Sequence, residues 1–350
     1  MKTKFIFSII IIAFLFSSCD KLKAIFQKEN TITDSAALGI DTTNLTGIET
    51  PSIKALNVKI SNSPANAELY YQRSNEYLKM EFLAEAFKDI YKAISLDTTK
   101  AKYYVTLSEI YFKQKDIVRA INALTKGESV EPNNATVLIL ICKYHFYLKE
   151  YDKAIAYADK ALMLNAQNAE VYFLKGLIFK EIGKTDKAIS NFQTAVEQNP
   201  ELYEAYMQLG LLTESKDKKL AMSYYENALR VDTNSSEARY AKAMTLQTEN
   251  DLEKAKEEYR EIIKRDPQYD EAIYNLGYIY FQQDSFDKAK RHFEMATKVN
   301  PTYTDAYYML GLCEEAKSNV SGAILYYNQA LNLDAKHELT LKALKRVGGK

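Results

Sequence analysis

The chain has 350 residues, 46 basic and 46 acidic side chains and 47% hydrophobic residues, a composition that can bury a sizeable core and excludes disorder throughout. The net charge of zero leaves no excess of Lys or Arg to neutralise phosphates, so we expect no nucleic-acid partner. Three Cys and three His provide no disulfide framework and little material for a metal site.

The first element in chain order is a short apolar segment with a charged start. Lys2 and Lys4 precede an apolar run over residues 5–16, which is followed by small residues and Cys19. This pattern is typical of a secretory signal peptide. A transmembrane helix needs roughly 20 apolar residues, so the length of the run favours a cleaved signal over a permanent membrane span.

Residues 15–19, with the sequence Leu-Phe-Ser-Ser-Cys, resemble the lipobox of bacterial lipoproteins. The resemblance implies that residues 1–18 are a lipoprotein signal peptide and that Cys19 is acylated. Acylation with more than one chain gives stable membrane anchoring. We therefore expect a lipid-anchored protein of the bacterial cell envelope, with the outer membrane favoured. The alternative is that Cys19 is an ordinary free thiol near a cleavage site.

The stretch after Cys19 has no hydrophobic periodicity. Thr, Ser, Asn, Asp, Gly and Pro dominate it up to residue 66. Such a composition is typical of flexible linkers. We predict that residues 19–66 are the lipidated Cys and a flexible tether.

A repeat begins at residue 67 and continues to residue 337. Eight units start at residues 67, 101, 135, 169, 203, 236, 270 and 304, and every unit has 34 residues except the fifth, which has 33. Positions below are counted from the first residue of a unit, allowing for the missing residue of the fifth. Position 20 is always Ala, and position 8 is always small, as in Ser74, Ser108, Cys142, Gly176, Gly210, Ala243, Gly277 and Gly311. Two helices therefore cross closely at these positions.

Large side chains and stop signals complete the unit. Position 24 is aromatic in the last five units, and pairs such as Asn199-Pro200 and Asn300-Pro301 end units, because a residue before Pro is disfavoured in a helix. The pattern resembles the tetratricopeptide repeat (TPR), although Arg239 and Ile273 depart from it. The resemblance implies an all-α fold, an α-α superhelix (TPR solenoid) of eight helix-turn-helix repeats. Residues 338–350 are expected to form a capping helix and tail.

The TPR resemblance also implies that the first helix of each unit lines a concave groove with its positions 2, 5 and 9. The expected partner groove is apolar and aromatic and contains Tyr71, Phe173, Met207, Tyr240, Met244, Tyr274, Tyr278 and Tyr308. The expected acidic groove edge contains Glu170, Glu204, Glu237, Glu271 and Asp305. A basic or amphipathic peptide or helical segment of a protein would suit this surface. The alternative is that these side chains only pack against adjacent helices.

The sequence favours binding over catalysis. It has no Gly-rich phosphate loop and no Ser/His/Asp set, and His145 lies at a packing position. We expect no enzyme activity, no cofactor and no small-molecule substrate. The leading hypothesis is a membrane-anchored scaffold that binds a protein partner. The alternative is a periplasmic assembly or secretion chaperone that binds extended clients transiently.

Overall fold

The computed structural model describes residues 50–348, and every regular element in this range is an α-helix. The signal peptide, Cys19 and residues 20–49 of the expected tether lie outside the described residues. The chain divides after Ala166 into two compact bodies, called here the N-terminal and the C-terminal body. None of the helices between residues 50 and 348 is long and apolar enough to cross a membrane.

Eight helices, called A helices, begin at the eight unit starts. They are α2 (Ala67–Lys79), α4 (Ala101–Lys113), α6 (Ala135–Tyr147), α8 (Ala169–Glu181), α10 (Tyr203–Thr213), α12 (Ser236–Thr248), α14 (Asp270–Gln282) and α16 (Thr304–Ala316). Each is followed by a B helix of the same unit: α3 (Leu83–Leu96), α5 (Ile117–Val130), α7 (Tyr151–Leu164), α9 (Thr185–Gln198), α11 (Lys218–Val231), α13 (Leu252–Arg265), α15 (Phe286–Val299) and α17 (Val320–Leu333). The all-α fold class of helix-turn-helix repeats is thus confirmed.

A further helix, α1 (Pro51–Asn62), precedes the first unit and packs against α2. The prediction of a flexible tether over residues 19–66 is therefore wrong for this part. Thr50 caps the helix by accepting a hydrogen bond from the backbone N–H of Ile53, and Pro51 occupies the first turn. Ile53, Leu56 and Ile60 lie on one face and are buried. The sequence analysis missed these three residues, although their spacing of three and four residues is that of one helix face.

Arg73 of α2 fixes α1 to the first unit. Its Nη1 donates a hydrogen bond of 2.7 Å to Oδ1 of Asn57, while Nε and Nη2 donate bonds of 2.6 and 2.7 Å to the carboxylate of Asp89. Asp89 is almost completely buried, so the bidentate contact compensates for the loss of its hydration. The same guanidinium therefore joins α1, α2 and α3.

Small residues at the crossing of the A and B helices allow aromatic rings to fill the space between them. All eight Ala residues at position 20 are fully buried: Ala86, Ala120, Ala154, Ala188, Ala221, Ala255, Ala289 and Ala323. A Cβ atom on Gly210 would lie 2.3 Å from Cε1 of Tyr225, and one on Gly311 equally close to the ring of Tyr327. The ring at position 24 thus occupies the volume that a side chain at position 8 would need.

The turn between the two helices contains a residue with positive φ in every unit except the fifth. These residues, all at position 15, are Glu81, Lys115, Lys149, Gly183, Asn250, Asp284 and Ser318. In the fifth unit α10 is two residues shorter than the other A helices, and the turn runs through Glu214 in the right-handed region. The residue missing from this unit is therefore the left-handed one.

The last helix, α18 (Glu338–Arg346), follows the eighth unit and contacts α17. It buries Thr340, Ala343 and Leu344 and exposes its lysines. Arg346 donates hydrogen bonds of 2.7 and 2.8 Å to the two carboxylate oxygens of Glu315 on α16. The helix covers the end of the last unit, as a terminal helix of a repeat array must for solubility.

We expect Leu56→Ala to release α1 from α2. Truncating a buried Leu costs about 2–5 kcal/mol in cores, and the low end applies to this peripheral helix. Hydrogen exchange should accelerate in α1 and in the facing side of α2. The control is Val58→Ala on the same helix, because Val58 is 61% exposed. Equal exchange in the two variants would contradict the docking of α1.

We expect Gly210→Ala to destabilise the C-terminal body despite the higher helix propensity of Ala. The overlap with Tyr225 costs about 1–3 kcal/mol, and the propensity gain is about 1 kcal/mol. The control is the same change in a Tyr225→Ala background, where the space is empty and only the propensity gain remains. Denaturant unfolding should show opposite signs in the two backgrounds, and the same sign in both would refute the packing argument.

Candidate protein-binding face

The A helices of the C-terminal body present three rows of side chains, at positions 2, 5 and 9, which we call the acidic row, the ring row and the apolar row. Four of the expected groove residues belong to the ring row and are buried: Met207 (4% exposed), Tyr240 (5%), Tyr274 (8%) and Tyr308 (9%). The expectation that they line an open groove is wrong. Tyr71, Phe173, Met244 and Tyr278 are half-buried.

The three tyrosines of the ring row are buried because each lies between two other rings. The Tyr274 ring is centred 5.3 Å from Phe293 at position 24 of its own unit and 4.9 Å from Tyr303. Tyr303 is the residue immediately before the next unit, and burial raises the pKa of the Tyr274 hydroxyl well above its ordinary value. Sequence analysis missed Tyr303, although Tyr269 occupies the same place one unit earlier.

The neighbouring units repeat this arrangement. Tyr240 packs against Tyr259 and Tyr269, with ring centres 5.9 and 5.5 Å away. Tyr308 lies 6.0 Å from Tyr327 and 5.6 Å from His337, which takes the place of the second tyrosine. The rings therefore form a closed layer in each of the last three units. That layer supports the face and offers little of its own area to a partner.

The apolar row is more accessible to solvent than the ring row. Its half-buried members in the last four units are Leu211, Met244, Tyr278 and Leu312. Asn275 crosses from α14 to α12, and its Nδ2 donates to the Tyr240 hydroxyl at 2.8 Å and to Met244 Sδ at 3.6 Å. These bonds hold the Met244 side chain in place.

The acidic row contains one carboxylate on each A helix from α8 to α16. Glu170, Glu204, Glu237 and Glu271 are exposed, and the side chain of Asp305 is 47% exposed. Among residues 50–348, Glu170, Glu204 and Glu237 form no ion pair, whereas Asp305 accepts a 3.0 Å contact from His337 Nε2. The negative charge of the first three is available to a partner.

The N-terminal body carries a different face. Glu68 at position 2 pairs with Lys102 at 2.7 Å, and the Lys102 ammonium also lies 4.7 Å from the centre of the Tyr71 ring. Tyr71 in turn packs at 5.2 Å against Tyr103. Because Lys102 neutralises Glu68 and covers Tyr71, this body has no comparable acidic row.

The residues that depart from the TPR pattern are accommodated in the core. Arg239 replaces the large residue at position 4 and pairs at 2.7 Å with Glu258, which also contacts Lys242 at 3.0 Å. Ile273 is fully buried. An ion pair thus substitutes for aromatic packing between α12 and α13.

The remaining candidates for chemistry are structural. His145 is 7% exposed, and its Nδ1 lies 2.6 Å from Oε2 of Glu150. Burial raises the pKa of the Cys313 thiol to about 12, which makes a reactive thiolate inaccessible. In the part of the chain that the structure describes, no group of three or more His, Cys, Asp or Glu residues could hold a metal ion.

Comparison with protein families identifies the repeat. One tetratricopeptide repeat model matches residues 246–312, and a second matches residues 101–134, 136–168, 169–202 and 304–337. Together they cover more than half of the chain, which therefore belongs to the tetratricopeptide repeat family. The unmatched residues 203–245 contain the shortened fifth unit and Arg239.

Several solved structures are similar to this chain. The C-terminal part of a TPR repeat-containing protein from Cytophaga hutchinsonii is 18% identical, with a TM-score of 0.59 over 68% of this chain and 98% of that one. MamA protein is 25% identical (TM-score 0.45, 49% and 95% covered), and a tetratricopeptide repeat protein from Parabacteroides merdae is 20% identical (TM-score 0.48, 71% and 98% covered). No curated protein matches the chain.

We expect the free energy of unfolding to fall as the pH rises above about 10. The folded state holds Tyr274 as the neutral phenol, so its contribution is complete below the unfolded pKa and is lost at higher pH. Tyr274→Phe removes one such ionisation and should make the decline shallower by up to about 1.4 kcal/mol per pH unit. Urea unfolding of both proteins from pH 8 to 11 tests this, and identical slopes would contradict it.

Proposed function

We propose that this protein is a non-catalytic scaffold of the bacterial cell envelope, anchored through lipidated Cys19, that binds a protein segment on the A helices of its C-terminal body. TPR folds are protein-interaction scaffolds, and repeat arrays of this kind use extended surfaces built from successive units for binding. The observation that carries the proposal is that α10, α12, α14 and α16 each carry a solvent-accessible acid at position 2 and, two turns later, an accessible apolar residue at position 9.

The composition of the face favours a cationic, partly apolar partner. The apolar row supplies Leu, Met and Tyr side chains that lose water on contact, and tyrosine is enriched among residues that dominate binding energies. The carboxylates of Glu204 and Glu237 repel acidic segments and attract Lys or Arg. The buried ring row keeps the backbone under this face fixed, so little ordering is needed on binding.

The membrane part of the proposal rests on the N-terminal sequence. A charged start, an apolar run and Cys19 after small residues are the features that support a lipoprotein signal. Two or more acyl chains would hold the protein at the membrane. The protein is expected in the detergent phase of a Triton X-114 partition, and Cys19→Ser should move it to the aqueous phase. Equal partition of both forms would exclude acyl anchoring.

Crosslinked affinity capture from solubilised native membranes tests the binding face. The test variant combines Met244→Ala, Tyr278→Ala and Leu312→Ala. Its matched control combines Met295→Ala and Leu325→Ala, which remove apolar side chains 42% and 58% exposed on B helices. We expect one recurrent protein that is lost from the test variant, with more than tenfold lower yield, and retained by the control.

Three results would change the proposal. A partner that the test variant retains would move the interface off the A helices. A partner lost equally from both variants would indicate a general loss of stability, which thermal unfolding of the two variants would reveal. A diffuse set of unfolded clients, insensitive to salt, would support the transient chaperone instead of the scaffold.

A further inference from the structure

The spacing of the acidic row limits the conformation of a segment that could follow it. Glu204, Glu237, Glu271 and Asp305 each occupy position 2 of their helix. Consecutive A helices touch: α14 contacts α16, the Asn275 amide on α14 donates to the Tyr240 hydroxyl on α12, and the Tyr203 hydroxyl on α10 lies 2.6 Å from Oγ of Ser235, the N-cap of α12. Axes of packed helices lie about 8–10 Å apart, so an acid recurs at roughly this interval.

A segment crossing the helices must present a cation at the same interval. A polyproline II segment rises about 3.1 Å per residue with three residues per turn, so every third side chain returns to one side after about 9 Å. In a β-strand, side chains on one side recur every two residues, or about 6.6 Å. An α-helix returns every turn, or about 5.4 Å. Of these three, polyproline II alone matches the acidic row.

We propose that the C-terminal body binds a polyproline II segment with Lys or Arg at every third residue. This inference rests on the proposed function and specifies the partner of the same face. Four acids correspond to four turns and therefore to about 12 residues of partner. Each cation lies against one carboxylate, and the segment crosses the A helices in the order in which they are stacked.

The apolar row would contact a second side of the bound segment. Polyproline II has three sides, each occupied by every third residue. With one side on the acids, a neighbouring side faces Leu211, Met244, Tyr278 and Leu312, and the third faces water. The expected partner motif is a cation, an apolar residue and a polar residue in a three-residue repeat, with the order of the last two set by chain direction.

The four acids do not contribute equally. Glu204 and Glu237 have no ion pair within residues 50–348, whereas Asp305 contacts His337, which competes for its charge. Removing Glu237 should therefore weaken binding more than removing Asp305. This graded response distinguishes contact with individual carboxylates from a general attraction to negative charge.

The test uses the purified full chain and labelled 12-residue peptides in fluorescence anisotropy. One peptide repeats Lys-Leu-Ser four times, a second has the same composition with lysines at alternate positions, and a third is scrambled. We expect the first to bind at least tenfold more tightly than the others. Glu204→Gln and Glu237→Gln should each weaken it about two- to fivefold, and Asp305→Asn less. The control Glu257→Gln, an exposed acid on a B helix, should leave affinity unchanged.

Each other result overturns the inference. Equal affinity for all three peptides excludes a three-residue period but leaves a binding face, as does tighter binding of the alternating peptide. Loss of affinity in Glu257→Gln equal to that in Glu237→Gln would show attraction to net charge only. No binding of any peptide rejects the motif, while the capture experiment with the apolar-row variant decides separately whether the face binds a protein.

Discussion

The close crossing of the A and B helices is the constraint on which the rest of this structure depends. A fully buried Ala at position 20 and a small residue at position 8 let the backbones approach, and the ring at position 24 fills the remaining volume. This contact fixes the rotation of every A helix about its axis. Positions 2, 5 and 9 therefore point the same way in each unit, and chemically similar side chains become rows.

The same constraint explains which rows are open. The Tyr274 ring packs against Phe293, whose position is fixed by the crossing of the A and B helices. Tyr303 packs against the Tyr274 ring as well. Three aromatic side chains of one unit thus pack together, and the residue at position 5 belongs to the core. The acids one turn earlier project beyond this layer. The packing at the helix crossing therefore produces a face in which the ring row is rigid and buried and the acidic row is exposed.

The repeat could be predicted from the sequence because its determinants are local and periodic. Small residues such as Gly210 recur at fixed positions, and their partners lie within the same unit. The burial of Tyr240 and Tyr308 could not be predicted in this way, since it depends on Tyr269 and His337 at the last position of their units, where the residue type changes along the repeat. Helix α1 was not predicted because its three buried apolar residues are stabilised only by packing against α2.

Both terminal helices are halves of a repeat. Helix α1 has the place of a B helix before the first unit, separated from α2 by four residues as B helices are from the next A helix, and α18 has the place of an A helix after the last. In principle the two halves from different copies could complete one unit and propagate a filament. At the place equivalent to position 8, however, α18 presents Lys345, where complete units have Gly, Ala, Ser or Cys. A long side chain there would overpack the close crossing with a B helix of another copy, which disfavours head-to-tail joining.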